Sequence, residues 1–300
     1  MAQPPSPYAG TRIALATRHG KERVIARPLQ WGLGAQLLHL PEIDTDQLGS
    51  FCGTVERQGT ALEACIAKAE LALAHGDTGV AIASEGSFGP HPAVPLLPVG
   101  VECMVLLDRG RGLTIREELV ARRTNFAQRR LGPLDLSDGQ PAPELARWLQ
   151  AVGFPSHALI VRPLAGAAAI PSGAAAIHKG LRDGVALLAA IRSAIAAAPD
   201  GEVQLETDMR AHCNPTRMAS IRRLTFRLVR RIATPCPRCQ GPGWGPVAVE
   251  PGLPCGWCGL PTALARGEVL GCPGCGHRQE RPRSDGLLQA DPAHCGHCNP

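Results

Sequence analysis

The chain has 300 residues, 44% of them hydrophobic and 19% charged. That is enough apolar material for a substantial core and a length that suits two domains, which excludes a disordered tail or a miniature disulfide scaffold. The net charge of +5 lies entirely after residue 213, where eleven Arg stand against five Asp and Glu. Eight of the twelve cysteines lie there too, as four C-x-x-C pairs, and two zinc ions on those eight thiolates would together carry about −4, reducing the excess to a weak polyanion footprint.

The opening MAQPPSPYAG lacks the charged head and apolar segment of a secretory signal, so residues 1–10 read as a disordered lead-in. No apolar run approaches the roughly 20 residues that cross a bilayer; the greasiest stretch, 184–198, carries Arg192. The cytoplasm is the expected compartment, without membrane contact.

Arg12–Thr17 is a short apolar strand that ends in the polar turn Arg18-His-Gly20, and a helical stretch begins at Lys21. Gly34–Leu40 forms a second strand. Thr60–His75 carries Leu62, Cys65, Ile66, Ala69 and Leu73 at helical spacing. Gly79–Ser84 is a buried strand that stops at Glu85-Gly-Ser-Phe-Gly-Pro-His-Pro92. Strand–helix alternation of this kind predicts an α/β fold over 11–233, with a mostly parallel central sheet and helices on both faces.

Val101–Asp108 and Gly112–Val120 add a hairpin through the turn at Arg109. Pro143–Val152 is a helix, His157–Val161 a strand, 164–176 a low-complexity loop or loose helix, Lys179–Ala198 a helix and Val203–Leu205 a last strand. Asn214 and Pro215 then cap a helix whose stripe is Met218, Ile221, Leu224, Leu228 and Ile232. Its six arginines, at 217, 222, 223, 227, 230 and 231, read as a solvated flank ahead of a nucleic-acid reader.

Residues 234–300 hold four C-x-x-C pairs: Cys236/Cys239, Cys255/Cys258, Cys272/Cys275 and Cys295/Cys298. Two residues between cysteines let both thiolates reach one tetrahedral ion, so the pattern predicts two structural Zn2+ in a double zinc-ribbon-like domain. A segment so poor in large apolar side chains needs such ions to fold. Consecutive, nested and interleaved pairings are all possible; the first two lie nearest to usual ribbon spacing. Cys52, Cys65, Cys103 and Cys213 read as small apolar side chains.

In a parallel sheet, ligands gather beyond the carboxyl ends of the strands, where this sequence puts its polar clusters. The turn Thr17–Glu22, with Thr17, His19 and Lys21, places a lysine at a helix N-terminus, which opposes the dipole unless an anion lies between. Glu85 follows a buried strand and is aimed into the crevice, or else pairs as a turn acid with a basic neighbour; His91 lies in the same loop. Glu63 could act there too, but Thr60-Ala-Leu-Glu63 is also a capping box. Asp44 and Asp46 could bind a hard cation through oxygen, but read first as turn shapers. His157 precedes a strand that ends in Arg162, Lys179 opens a helix, and Glu206–Arg217 concentrates Glu206, Asp208, Arg210, His212 and Arg217 before a helix N-terminus. That mixture can hold a metal together with phosphate oxygens, or form an ion-pair network around the last helix.

On HGKE, DTDQLG, SEGSFGPHP, GFPSHALIVRP, LETDMRAHCNPTRM and the CNP ending, the chain resembles a bacterial family of unknown function. On ATRHGK (16–21), TALEACIAKA (60–69) and VAIASEGSF (80–88), residues 12–115 also resemble the inosine triphosphate pyrophosphatase-like superfamily of house-cleaning nucleotide hydrolases. The second resemblance implies that Lys21 holds phosphate, Glu63 and Glu85 hold Mg2+, and Lys68 assists. That superfamily's base-recognition segment has no clear counterpart, although Ser156, His157 and Lys179 could substitute for it.

The expectation is a metal-dependent phosphohydrolase acting on a nucleotide or related phosphate compound. Glu85 and Glu63, joined by Asp208, would hold Mg2+, while Lys21, Lys179, Arg162 and Arg210 neutralise developing charge. The rival is a nucleic-acid-binding or regulatory protein in which the zinc module and arginine-rich helix engage nucleic acid while the α/β domain senses a small ligand. A structural adaptor, with a protein partner on the zinc module, comes third.

Overall fold

A computed structural model describes residues 6–49, 59–91, 94–121, 123–137, 140–164 and 177–300. Cys52, the stretch 165–176 and the side chain of His91 lie outside the described part.

The first sheet contains β1 (Arg12–Ala16), β2 (Gln36–Leu40), β3 (Val80–His91), β4 (Val94–Asp108) and β5 (Leu113–Ala121), in the order β2-β1-β3-β4-β5. β1 runs parallel to β2 and β3, whereas β3–β4 and β4–β5 are antiparallel. The sheet is therefore mixed, not mostly parallel as the strand–helix alternation predicts. The second half is a hairpin meander, and β3 continues through the Glu85–His91 segment instead of ending at Ser84.

Helices cover both faces, as expected. α1 (Glu22–Leu33) and α5 (Pro215–Ala233) pack on one side, and α2 (Ala61–His75) on the other. Side chains of a strand alternate between faces, and the residues sort accordingly. Ile13, Leu15, Val80, Ile82, Met104 and Leu106 meet α1 and α5, while Ala14, Ala16, Ala81, Ala83, Cys103 and Val105 meet α2. Small residues on the α2 side let that helix sit close to the sheet.

A second sheet, absent from the sequence reading, takes the later strands. It comprises β6 (Gln128–Leu131), β9 (Leu159–Pro163), β10 (His178–Leu181) and β11 (Val203–Thr207), antiparallel throughout in the order β10-β9-β11-β6. It shares its own core with α3 (Pro143–Ala151) and α4 (Gly184–Ala197); β7 (Leu136–Ser137) and β8 (Gln140–Pro141) form a small hairpin beside it. Lys179 lies within β10 and does not open a helix. α4 begins at Gly184, capped by the Asp183 carboxylate accepting from the Ala186 amide at 2.8 Å.

The third sheet, β12 (Gly245–Pro251), β13 (Ala265–Gly271) and β14 (Arg278–Pro282), carries the cysteine pairs at its ends. It is fastened to the first sheet by Arg231 of α5, whose guanidinium reaches the carbonyls of Gly243 (3.2 Å) and Arg116 (2.7 Å) and the carboxylate of Glu117 (3.2 Å). The lead-in is ordered at its end: Tyr8 is fully buried and its hydroxyl donates to Asp108 at 2.9 Å. Among the described residues, no helix is long and apolar enough to cross a membrane.

Candidate functional site

The chain leaves β1 toward β2 on one side and β3 toward β4 on the other, and a crevice opens beyond the carboxyl end of β1, beside Ser84 and Glu85 in the middle of β3. Gly20, at φ +71°, turns the chain tightly after β1 and aims Lys21 back under the sheet rim. Lys21 is 7% exposed and its ammonium donates to the Ser84 carbonyl at 2.6 Å. From the opposite face, Lys68 of α2 reaches Glu85 at 2.5 Å, with both side chains buried. Lys21, Lys68, Ser84, Glu85, His19 and Asp46 line one narrow cleft with a cavity volume of about 10 Å³, room for about one water.

Behind the cleft lies a second ion pair. Arg217, in the first turn of α5, meets Glu102 of β4 at 2.6 and 3.3 Å, donates to the Met209 carbonyl at 2.5 Å, and lies 5.2 Å over the ring of Phe88. Neither side chain of this pair is exposed. The pair fills the space a Cβ on Gly86 would need, 2.7 Å from Arg217 and 2.9 Å from Glu102. Three buried cations thus face two buried carboxylates. This excess of one positive charge lies at the buried end of the site, and the Asp46 carboxylate faces it from the mouth.

The titration shifts follow from it. Burial, reinforced by the Arg217 charge, brings the Lys21 pKa down to about 8. Burial alone would raise the Glu85 carboxyl, but Lys21, Lys68 and Arg217 outweigh it and hold Glu85 below its ordinary value. Among the described residues, the hydroxyl of Ser84 has no hydrogen-bond partner although it is buried. A buried hydroxyl and an ammonium with donors to spare, on one cleft wall, are the groups an anion would satisfy.

At the mouth, His19 lies 3.5 Å from the Asp46 carboxylate and stacks on His212 at 5.1 Å between ring centres. The hydrogen bond from His19 holds the Asp46 carboxyl below its usual value, whereas burial lowers the His212 pKa. The Thr17 hydroxyl accepts from the His19 amide at 3.2 Å.

Other sequence candidates lie elsewhere. The Glu63 carboxylate is exposed and accepts from the Thr60 amide (2.7 Å) and hydroxyl (2.9 Å), closing the capping box instead of the cleft. Asp208, with no exposed side chain, is held by Arg210 at 2.6 Å and by the Gly180 amide at 3.1 Å. Burial would raise its carboxyl, but Arg210 keeps it low. Arg162 pairs with Glu206 at 3.1 Å, and burial raises the Glu206 carboxyl. His157 bridges the Thr216 hydroxyl (2.9 Å) and Ser156 (3.0 Å), fixing the start of α5.

With Glu63 capping a helix, Glu85 bound to Lys68 and Asp208 bound to Arg210, the donor set expected for Mg2+ does not fit that ion. Sequence reasoning also passed over Ser84 and Glu102, and it placed Arg217 in the Glu206–Arg217 cluster, where the ion-pair alternative names no partner for it. A cation in the first turn of a helix, the signal that singled out Lys21, marks Arg217 equally well.

The cysteines form two groups, Cys236/Cys239/Cys272/Cys275 and Cys255/Cys258/Cys295/Cys298, each with its sulfurs within 4.8 Å of one another. Sulfur separations of 3.6–3.9 Å between pairs match the edge of about 3.8 Å of a tetrahedron with metal–sulfur bonds of about 2.3 Å. Amides of Gly241, Trp257 and Cys275 point at sulfurs from 3.4 Å. Both groups could hold a metal ion. The pairing is interleaved, contrary to the arrangements that spacing favours. Each strand of the antiparallel sheet carries the chain from one end to the other, so successive pairs emerge at alternate ends and the first must meet the third.

Residues 68–300 match the profile of the family described as "Domain of unknown function (DUF6671)". Lys21, His19 and Asp46 precede the matched segment, which begins at Lys68. No curated protein and no solved structure matches the chain.

Proposed function

We propose that this chain, which belongs to the DUF6671 family, takes the phosphoryl group of a nucleotide or related phosphate compound into the Lys21 cleft and hydrolyses it. The observation that carries this proposal is Lys21: a buried ammonium, its pKa lowered to about 8, beside the unpartnered Ser84 hydroxyl, where the buried groups of the cleft carry one more positive than negative charge. An oxyanion there gains hydrogen bonds that water cannot supply as well and neutralises the excess. The N-terminus of α1 adds its dipole from the same side.

Lys21 and Lys68 would bind the non-bridging oxygens and the charge developing on them. His19, oriented by Asp46, would take a proton from the attacking water as its oxygen bonds to phosphorus and the bond to the leaving oxygen breaks. The attacked phosphoryl group is released as inorganic phosphate, the remaining nucleotide departs on its own phosphate oxygen as an anion, and His19 passes its proton to solvent. In this proposal two Zn2+ fill the four-cysteine groups and act structurally, and the compartment is the cytoplasm.

The test is a panel of nucleoside triphosphates, diphosphates and pyrophosphate, following phosphate release and binding in parallel. Turnover lost in His19→Ala with binding retained supports the hydrolase. Binding without turnover in wild type reduces it to a ligand sensor, and failure of every phosphate compound to bind rejects the site.

A further inference from the structure

α1 and α5 lie side by side and parallel. A Cβ on Gly20 would lie 3.5 Å from His212 just before their starts, and a Cβ on Gly32 would have no room against Val229 near their ends. Their apolar faces are spent on the core through Ile25, Leu29, Ile221, Leu224, Leu228 and Ile232. The outer surface therefore presents what remains: Arg27, Trp31, Arg222, Arg223, Phe226 and Arg230, all exposed. Trp31 is 70% exposed and Phe226 45%, and Arg27 lies 6.0 Å over the indole of Trp31.

Two of the six α5 arginines are absorbed by the fold: Arg217 pairs with Glu102, and Arg231 anchors the third sheet. Arg227 leans toward β5, donating to the Glu118 carbonyl at 3.4 Å. Among the described residues, Arg27, Arg222, Arg223 and Arg230 have no ion-pair partner. α5 contains no carboxylate and α1 only Glu22, which is half-buried against His39 and Arg23.

We infer that this two-helix face is a docking surface for nucleic acid, bound through its phosphate backbone with bases resting on Trp31 and Phe226. Residues four apart on a helix advance about 6 Å, so Arg222, Phe226 and Arg230 make a ladder of guanidinium, ring and guanidinium. Guanidinium groups match phosphate oxygens in pairs, and exposed rings accept any base face. A lipid surface fits less well, because insertion needs an apolar face and both are already buried. The zinc module is not the reader: residues 236–300 carry five Arg against five acidic groups, and two tetrathiolate zinc sites would make it about −4.

The experiment is fluorescence anisotropy of the full chain with a labelled 20-nucleotide single strand, from 50 to 200 mM salt. With about four phosphates contacted, affinity should fall about 50-fold over that range. Replacing Arg222, Arg223 and Arg230 together by Ala should weaken binding at least tenfold and flatten the salt dependence, with circular dichroism and zinc content unchanged. Arg278→Ala with Arg281→Ala on β14 should leave binding intact. Trp31→Ala with Phe226→Ala should weaken single strands more than duplex. No binding at 50 mM salt, equal loss in the β14 variant, or phosphatidylserine vesicles binding where oligonucleotides do not would overturn the inference.

Discussion

Lys21→Met separates a lysine kept for a ligand from one kept for the fold. Methionine retains most of the aliphatic stem but neither the charge nor the hydrogen bond to Ser84. A pKa drawn from 10.5 down to about 8 means that holding the charge at pH 7 opposes folding by about 3 kcal/mol, at about 1.4 kcal/mol per unit. Losing the bond to Ser84 returns about 1 kcal/mol of that. The variant should therefore be about 2 kcal/mol more stable than wild type at pH 7 while losing phosphate binding.

The sign with pH is equally specific. Between pH 8 and 10.5 the unfolded lysine is protonated and the folded one is not, so unfolding takes up a proton and stability rises with pH. Wild type should gain about 2 kcal/mol from pH 7 to 9.5 through this group, and Lys21→Met should lack that gain. Urea unfolding at the two pH values measures both. A variant destabilised at pH 7, with phosphate affinity unchanged, would show Lys21 to be an ordinary structural cation.

The Glu102–Arg217 pair should behave as a unit. Glu102→Gln or Arg217→Met alone strands a buried charge and should lower stability by about 3–5 kcal/mol, whereas both together should recover most of it, read from urea midpoints. Gly86→Ala forces a methyl into that pair and should destabilise by about 1–3 kcal/mol and weaken phosphate binding, seen by calorimetry. Thr60→Ala should lose about 1 kcal/mol of helix capping and leave phosphate affinity unchanged. Chelation of the metals, or Cys272→Ser, should unfold the third sheet, seen as lost near-ultraviolet signal of Trp244, while Cys65 and Cys103 stay buried to thiol reagents.

Legibility in the sequence depended on how local each signal was. β1, α2 and the cap at Asn214 lie close to their expected bounds because periodicity and capping residues act within a turn or two. The Glu85–His91 segment did not read as strand, since Gly86 and Pro90 look like breakers. Gly86 is tolerated inside β3 because Arg217 and Glu102 occupy the volume a side chain would need. The second sheet was invisible for a related reason: its antiparallel partners are far apart in sequence, with Val203 facing Leu131.

The site was legible in part. Lys21, Lys68, His19 and Glu85 meet at one crevice, although only His19 and Lys21 follow a strand end, while Lys68 comes from within α2 and Glu85 from within β3. The resemblance to nucleotide hydrolases put Glu63 among the metal ligands, but the capping box, readable from Thr60-Ala-Leu-Glu63, took its carboxylate. The cysteine pairing stayed open among three arrangements because spacing counts residues, whereas the strand direction between the pairs decides which ends they reach.

The central assignment is an anion beside a buried, half-neutral Lys21. Calorimetric titration of sulfate, which does not itself titrate, at pH 8 in two buffers of different ionisation enthalpy measures it directly. Sulfate should bind with uptake of about half a proton, because a lysine of pKa about 8 becomes fully charged once the anion arrives. Binding without buffer dependence, or with the same affinity in Lys21→Met, would contradict it.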